Sequence, residues 1–523
     1  MAPPPPGPGS PVAAAPRTAV VVGGGIAGLS AAWALSSSAP GLRVVVLEAG
    51  DRLGGKLLTS DVGGRPVDLG PDAFLARRPE AVGLCRELGL GDELVSPGSR
   101  AAFVWSRRRL RALPGGLALG VPTRLVPLAR SGILSPLGLA RAALDLTGWP
   151  FVGGAGPDGG DLAVADITRR RLGREATAKL VDPLLGGIHA GDTARLSAAA
   201  VFPPLLEAAR HGGSLMRALR SAAAPPRPAG GGAGPGSAGP GSAGSGSTDD
   251  TPVFLTVRDG LGSLVDRLAD ALRARGVELR TGCRVEHIGL HRGPGAGAPG
   301  GGDSDVLPWA LGTTTGTVEA DAVVVATPAG AAAALLAEVD AGTASRLAAI
   351  DYAAVTLVTL RLPDGGAGTR LDGTGFLVPA AGGGLVTACT WLTSKWPHLR
   401  RPGDLLLRAS AGRYGDDRAG SMTDDEVVAA VIDELRPIMG IREPPMDTVV
   451  TRWPGAFPQY TPGHRARVAA IEAGVARLPS LALAGAALHG VGIPACIGSG
   501  RRAAAAVLHA AIDEGAPTVG GSR

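Results

Sequence analysis

Residues Thr18–Lys56 read TAVVVGGGIAGLSAAWALSSSAPGLRVVVLEAGDRLGGK, and the rest of the chain is read outward from them. Ala19–Val22 is an unbroken apolar run, the pattern of a strand buried on both faces of a parallel sheet. Gly23, Gly25 and Gly28 follow at G-x-G-x-x-G spacing, with Gly24, Ile26 and Ala27 between them. The first glycine permits a tight turn, the second lets backbone approach a pyrophosphate, and the third lets helix pack closely on strand. Ile26–Leu35 carries apolar residues at helical spacing, and its first N–H groups would face the phosphates. A second strand, Arg43–Leu47, ends at Glu48, twenty positions after Gly28. A carboxylate there can accept hydrogen bonds from a ribose hydroxyl. A lone glycine pattern is also met in plain turns; between strand and helix, with the acid at this distance, it points to a dinucleotide.

Beyond Glu48 and Ala49 comes Arg52-Leu53-Gly54-Gly55-Lys56. It resembles the R-x-G-G-[KR] extension of flavin amine oxidases and their relatives. On that resemblance the expected nucleotide is FAD rather than NAD. A turn leading into a hairpin has the same backbone reading and is compatible with it.

At 523 residues the chain can hold two or more domains and a large core. Aromatic residues are only 3% of it, so the core must rest on Ala, Val and Leu. The formal charge of +5 suits a small anionic substrate, and no basic face interleaved with aromatics suggests nucleic acid. Cys85, Cys283, Cys389 and Cys496 show no C-x-x-C spacing, so each is expected as a small buried residue in a reducing cytoplasm. The eight histidines form no H-x-x-x-H or H-E-x-x-H pattern, so no metal site is expected. The first residues, MAPPPPGPGSPVAAAPR, lack the apolar core of a signal peptide, and no long uncharged stretch suggests a transmembrane span.

Further along, Leu57–Val62 and Arg65–Leu69 flank Gly63-Gly64 as a hairpin, and Pro79–Leu88 reads as a helix. Ala101–Leu113 reads as a second hairpin with Arg107, Arg108, Arg109 and Arg111 on a solvated turn. Gly116–Trp149 mixes Leu-rich helical segments with Pro and Arg; it reads as core helix or as a membrane-surface patch. Leu162–Leu185 and Phe202–Arg220 read as helices. Phe254 onward gives a strand and helix, Val277–Leu290 strands, and Asp321–Pro328 a strand re-entering a nucleotide-binding sheet. Four β-rich runs, Tyr352–Leu362, Gly375–Pro379, Leu385–Trp391 and Asp404–Ala409, precede the helix Asp424–Met439 and the strand Asp447–Arg452.

The expected fold is therefore α/β: a Rossmann-like FAD-binding domain with a discontinuous α+β substrate domain. The first is expected from 18–100, 253–335 and 465–515. The second is expected from 101–221 and 336–464, with a helical subregion near 116–215. Residues 1–17 are expected as a disordered tail, and 222–250 and 291–305 as flexible insertions rich in Gly, Pro and Ser.

Gly485–Gly500, GAALHGVGIPACIGSG, resembles the C-terminal flavin motif of protoporphyrinogen and coproporphyrinogen oxidases. Gly70-Pro71-Asp72-Ala73-Phe74-Leu75 resembles that family's G-P-D-S-F-L segment. Gly187–Asp192, with Arg195-Leu196-Ser197 and Phe202-Pro203, resembles its G-[IV]-[YF]-A-G-D…R-L-S…F-P run. Arg452–His464 resembles R-W-x-x-A-M-P-Q-Y-x-x-G-H. The similarity runs from about Thr18 to Ala511 apart from the two insertions. Ala73, His189 and Phe457 depart from the family pattern and bear on substrate positioning rather than on class.

The resemblance implies an oxygen-dependent, six-electron oxidation of coproporphyrinogen III to coproporphyrin III in heme biosynthesis, with FAD as cofactor and release of hydrogen peroxide. Protoporphyrinogen IX is the alternative substrate. Another flavin oxidase acting on an amine or a polyene, and a non-catalytic tetrapyrrole-binding flavoprotein, are the competing readings. Hydride loss from a bridging carbon makes the pyrrole N–H acidic, so no protein base is assigned. By match to the family, Gly23–Gly28, Glu48 and Ala49 would hold the nucleotide and Val285 would meet its adenine. Lys56 and Gly70–Ala73 would line the flavin, and Trp453, Val491, Gly492 and Ile493 would close over it. Arg100 and Arg78 are the expected partners of substrate carboxylates, since a guanidinium fork binds a carboxylate bidentately; each reads equally as a surface charge. The resemblance further implies heme-pathway partner enzymes and a cytoplasmic protein, with peripheral membrane contact left open.

Overall fold

The structure, a computed structural model, describes residues 17–39, 41–148, 160–222, 252–290 and 309–513. The expected tail up to residue 16 and the insertions, apart from residue 222, lie outside the described residues.

The Thr18–Val22 strand is the centre of a five-stranded parallel sheet. Its order is Glu278–Arg280, Arg43–Leu47, Thr18–Val22, Ala322–Val325, Leu481–Leu483. Alternate residues serve opposite faces. Val21, Val44, Val46 and Val324 enter one core with the helices Ile26–Ser38, Leu261–Ala274 and Ile493–Asp513. Val20, Val22, Val45, Leu47, Val323 and Val325 enter the other. Burial on both faces is why Ala19–Val22, Val44–Leu47 and Ala322–Val325 are apolar at every position. The second core is covered by the antiparallel strands Val285–Leu290, Trp309–Thr313 and Gly316–Ala320 and by the helices Ala329–Leu336 and Ala341–Ala348.

A seven-stranded sheet stands beside it, in the order Asp447–Pro458, Tyr352–Pro363, Asp404–Ala411, Val386–Trp391, Gly375–Leu377, Phe103–Ser106, Arg109–Ala112. All pairs are antiparallel except Gly375–Leu377 with Phe103–Ser106. The helix Asp424–Met439 covers it, started by a Thr423–Glu426 capping box and burying Val427, Val431, Leu435 and Met439 at four-residue steps. The Arg107-Arg108 turn has both φ angles positive, +53° and +58°, as a two-residue hairpin requires.

A helical layer between Leu125 and Ala222 has its own core around Leu128, Ile167, Leu180, Leu205 and Met216. The single helix expected over Phe202–Arg220 is in fact two, Pro203–His211 and Leu215–Ala222. Gly212 and Gly213, at φ +72° and +70°, turn the chain between them. Asp145 receives the second helix: its carboxylate accepts from Leu215 N (3.1 Å), Met216 N (2.9 Å) and Ser214 Oγ (2.9 Å), and pairs with Arg171 (3.1 Å).

The hairpin Thr59–Asp61/Pro66–Asp68 ties the two sheets together. At its turn Arg65 is buried and bonds both oxygens of Asp404 (2.7 and 2.8 Å) and the Leu399 carbonyl (3.1 Å). Thr59 and Asp68 at its base hold the first N–H groups of the Leu261–Ala274 helix. Burial raises the Asp68 carboxyl to about 6, against hydrogen bonds from Thr59 and Leu261 that lower it.

Candidate functional site

The carboxyl end of the parallel sheet gathers the glycine turns. Gly23 has φ +106° and donates to Leu47 O at 2.8 Å, so the turn folds back over the next strand. A side chain on Gly28 would strike the Gly23 carbonyl, which explains why helix and turn meet there only through glycine. Glu48 accepts from Gly24 N and Gly50 N, each at 2.7 Å, and so joins the glycine turn to the end of its own strand. Cys283 N donates to Glu48 O at 2.9 Å and Gly282 N to Gly50 O at 2.7 Å. Val285, two residues on and buried, therefore stands at the Glu48 end, with Ala49 exposed beside it.

The Arg52–Lys56 segment returns to the same place. Gly54 N donates to Gly24 O at 2.8 Å, and Arg52 braces its own loop through the carbonyls of Leu53, Gly55 and Leu57. Lys56 is half-buried, and desolvation lowers its ammonium from the usual lysine value. Its Nζ lies 5.7 Å from the centre of the Tyr352 ring. Gly70 is pressed on the backbone of Lys56, where a side chain would overlap the Lys56 carbonyl. Trp453 reaches the same loop, with its indole nitrogen 3.0 Å from Leu69 O.

The far end of the chain completes the arrangement. Gly485 (φ +125°) and Gly490 (φ +148°) bracket the short helix Ala486–His489, and Val491-Gly492 lead into Ile493–Asp513. Tyr460 donates its hydroxyl to Ala486 O, and His464 Nε2 lies 3.1 Å from Leu488 O. Gly500 touches the first helix so closely that a Cβ would lie 3.0 Å from Ala31 N and would overlap Ala27 O. Burial pushes the Cys496 thiol up to about 11, which keeps it an inert thiol beside Lys56.

Three observations test whether these residues suit a dinucleotide. The Ile26–Ser38 helix begins at Gly25 with no side chain capping its first N–H groups. A Cβ on Gly25 would meet nothing within 4 Å, so that glycine answers no need of the protein's own packing. The Thr327 hydroxyl, beside the Gly23 turn, is buried without a partner. An open helix N-terminus, a bare backbone and an unanswered hydroxyl at one point suit a pyrophosphate. Thr327, Tyr352, Tyr460 and Cys496 were not among the sequence candidates. Their position follows from strands and helices far apart in the chain.

The two expected carboxylate partners make no hydrogen bond or ion pair with the glycine turns among the described residues, although Glu80, the partner of Arg78, lies against Gly498 of the closing segment. Arg78 is 51% exposed and pairs with Glu80 at 3.3 Å, just before the helix Pro79–Glu87. Arg100 is exposed in the loop before Phe103–Ser106, where Ala101 O accepts from Thr374 N at 2.8 Å. Among the described residues no group of three His, Cys, Asp or Glu is placed to hold a metal ion, and no helix is long and apolar enough to cross a membrane.

Residues 26–508 match the family described as flavin containing amine oxidoreductase. A coproporphyrinogen III oxidase of Propionibacterium freudenreichii subsp. freudenreichii is 38% identical, over 94% of this chain and 91% of its own length. That of Bacillus subtilis (strain 168) is 32% identical, over 94% and 97%. A solved structure from Exiguobacterium sp. 255-15, provisionally called a protoporphyrinogen oxidase, superposes with a TM-score of 0.77 at 29% identity, covering 94% of this chain and 99% of that one.

Proposed function

The chain belongs to the flavin containing amine oxidoreductase family, and from that premise we propose that it oxidises coproporphyrinogen III to coproporphyrin III in heme biosynthesis. The observation that carries this reading is likeness over nearly the full length to coproporphyrinogen III oxidases of several bacteria, at up to 38% identity. Bovine protoporphyrinogen oxidase and the Staphylococcus aureus coproporphyrinogen III oxidase are each 29% identical, so the preference for the coproporphyrinogen form rests on the relatives at 32–38%, which carry that name.

FAD is the flavin we assign, with dioxygen as its partner. When bound, the flavin supplies the two-electron acceptor for each oxidation. The protein's own residues do the rest. Gly23–Gly28 and the first turn of Ile26–Ser38 would hold the pyrophosphate, with Thr327 beside them, and Glu48 the ribose. Lys56, Gly70–Ala73, Trp453 and Val491–Ile493 would enclose the ring system and keep water from it. Lys56, with its ammonium destabilised by burial, gains most from an anionic neighbour there. Arg78 and Arg100 remain the proposed partners of substrate carboxylates, both with donors free to turn to solvent.

The test is direct. Purified protein supplied with FAD is mixed under air with coproporphyrinogen III and, separately, with protoporphyrinogen IX. Porphyrin fluorescence and peroxide should appear with both or with the first alone, and faster with coproporphyrinogen. Turnover of neither overturns the reading; faster turnover of protoporphyrinogen reverses the substrate choice.

We also propose a cytoplasmic protein that touches a membrane surface without crossing it. Leu137 (82% exposed), Val126 and Leu144 lie bare on the helical layer, which also carries Arg124 and Arg130. Apolar side chains among arginines suit an anionic lipid surface. The protein should sediment with vesicles containing phosphatidylglycerol, and Leu137→Glu should release it. Equal sedimentation of both proteins would refute the contact.

A further inference from the structure

Three consecutive carbonyls leading into the Gly70–Ala73 loop are held by side chains of the seven-stranded sheet. Arg408, in Asp404–Ala411, donates from one terminal nitrogen to Asp68 O (2.7 Å) and Gly70 O (2.8 Å). Trp453, in Asp447–Pro458, takes the carbonyl between them, Leu69 O. The other terminal nitrogen of Arg408 lies 3.2 Å from Asp72 Oδ1. Asp72 Oδ2 accepts from Lys395 Nζ (2.9 Å) and Trp396 Nε1 (3.0 Å).

The Asp72 carboxylate therefore points into the sheet, although its backbone belongs to the loop assigned to the flavin. Burial alone would raise the Asp72 carboxyl; Lys395 and Arg408 outweigh it and hold it well below the carboxylate range. The Arg408 side chain is 7% exposed. Buried charges of this kind are a poor source of stability, because desolvation opposes their attraction. They do fix geometry. A guanidinium is planar, so three acceptors bound to its terminal nitrogens are set at one mutual spacing. The loop is pinned from the other side by Lys56, against whose carbonyl Gly70 rests.

We propose that Arg408 is a positioning residue, which sets the Gly70–Ala73 loop at a fixed height on the flavin and in register with the sheet that carries the substrate side. This rests on the flavin reading above. A displacement of about 1 Å in a group that frames a reacting centre can lower the rate a hundredfold. Trp453 and Asp72 act with Arg408, but only Arg408 touches both the carbonyls and the carboxylate.

The test compares Arg408→Met, Arg408→Lys and Arg65→Met in the FAD-loaded enzyme. Arg65→Met removes a buried arginine of the neighbouring Asp404 cluster that bonds none of these carbonyls. Arg408→Met should change the visible flavin circular dichroism and lower kcat roughly ten- to a hundredfold, with KM moving less. Arg408→Lys should restore part of both, since it keeps the charge but its single nitrogen cannot occupy the two positions from which the guanidinium reaches the carbonyls and the carboxylate. Arg65→Met should lower the thermal midpoint yet keep the wild-type flavin spectrum. A wild-type spectrum and kcat in Arg408→Met overturns the proposal, as does an equal spectral change in Arg65→Met. If Arg408→Met does not fold, a folded Arg408→Lys with wild-type spectrum and kcat overturns it. Wild-type protein that binds FAD but oxidises no porphyrinogen refutes the substrate reading alone; the spectra still decide this one.

Discussion

Gly28→Ala is expected to weaken flavin binding so far that the protein purifies largely without it. The added methyl would overlap the Gly23 carbonyl oxygen and lie 3.1 Å from its carbon and 3.3 Å from the Ala326 Cβ. Two of these atoms are backbone, so no rotamer change relieves the contact. Gly23 cannot simply turn away either: its φ of +106° and its bond to Leu47 O hold it on the sheet. The helix must therefore move off the turn, and its uncapped N–H groups move with it. Overpacking of this kind lowers stability by about 1–3 kcal/mol. On the proposed FAD assignment, a comparable loss at the pyrophosphate would weaken binding roughly a hundredfold, at about 1.4 kcal/mol per factor of ten. The ratio of visible to ultraviolet absorbance after purification, followed by FAD titration, measures it. Retention of FAD at wild-type affinity would show that the turn accommodates the methyl.

Asp145→Ala should produce the largest loss of stability without loss of cofactor. The Asp145 side chain is wholly buried, and its partner Arg171 is 7% exposed. Removing the carboxylate leaves a buried guanidinium unpaired and two helix N–H groups without their acceptor. Breaking a buried pair from one side typically destabilises by about 3–5 kcal/mol. Asp145→Asn should fall between, since an amide oxygen still accepts from Leu215 and Met216 but carries no charge. The effect belongs to the helical layer, whose core is distinct from those flanking the parallel sheet. Hydrogen exchange should therefore speed up in Leu215–Ala222 while flavin content stays at the wild-type level. Unchanged exchange there and an unchanged urea midpoint would contradict the prediction.

How much of this was legible beforehand depended on distance along the chain. Arg43–Leu47 and Asp424–Met439 match their sequence expectations residue for residue, because apolar periodicity and a local cap define them. Phe74–Leu75 and Leu94–Val95 escaped notice: two residues make no period, and each exists only by pairing with Phe254–Val257. The hairpin Trp309–Thr313/Gly316–Ala320 was missed because its Thr- and Gly-rich turn resembles the insertion before it. Its anchor, Trp309 Nε1 to Pro479 O at 2.8 Å, is remote. At the candidate site, Gly23, Glu48 and Gly485 could be read from motifs. The partners of Asp72 could not: Arg408 and Lys395 lie more than 300 positions away, and no local pattern singles them out.

The order of the parallel sheet also governs how the chain leaves the ribosome. Thr18–Val22 gains one neighbour almost at once, from Arg43–Leu47, but its other edge waits for Ala322–Val325. At roughly 5–20 residues per second, about 15–60 s separate the synthesis of Val20 from that of Val323. Throughout that interval a strand that is apolar from Ala19 to Val22 carries an open row of N–H and C=O groups, the kind of edge on which nascent chains associate. Leu481–Leu483 and the helix Ile493–Asp513, which packs on Ala27 and Ala31 of the first helix, arrive later still. The strand with which the fold begins is thus among the last to be enclosed, and the nascent chain needs shelter until nearly all of it has been made.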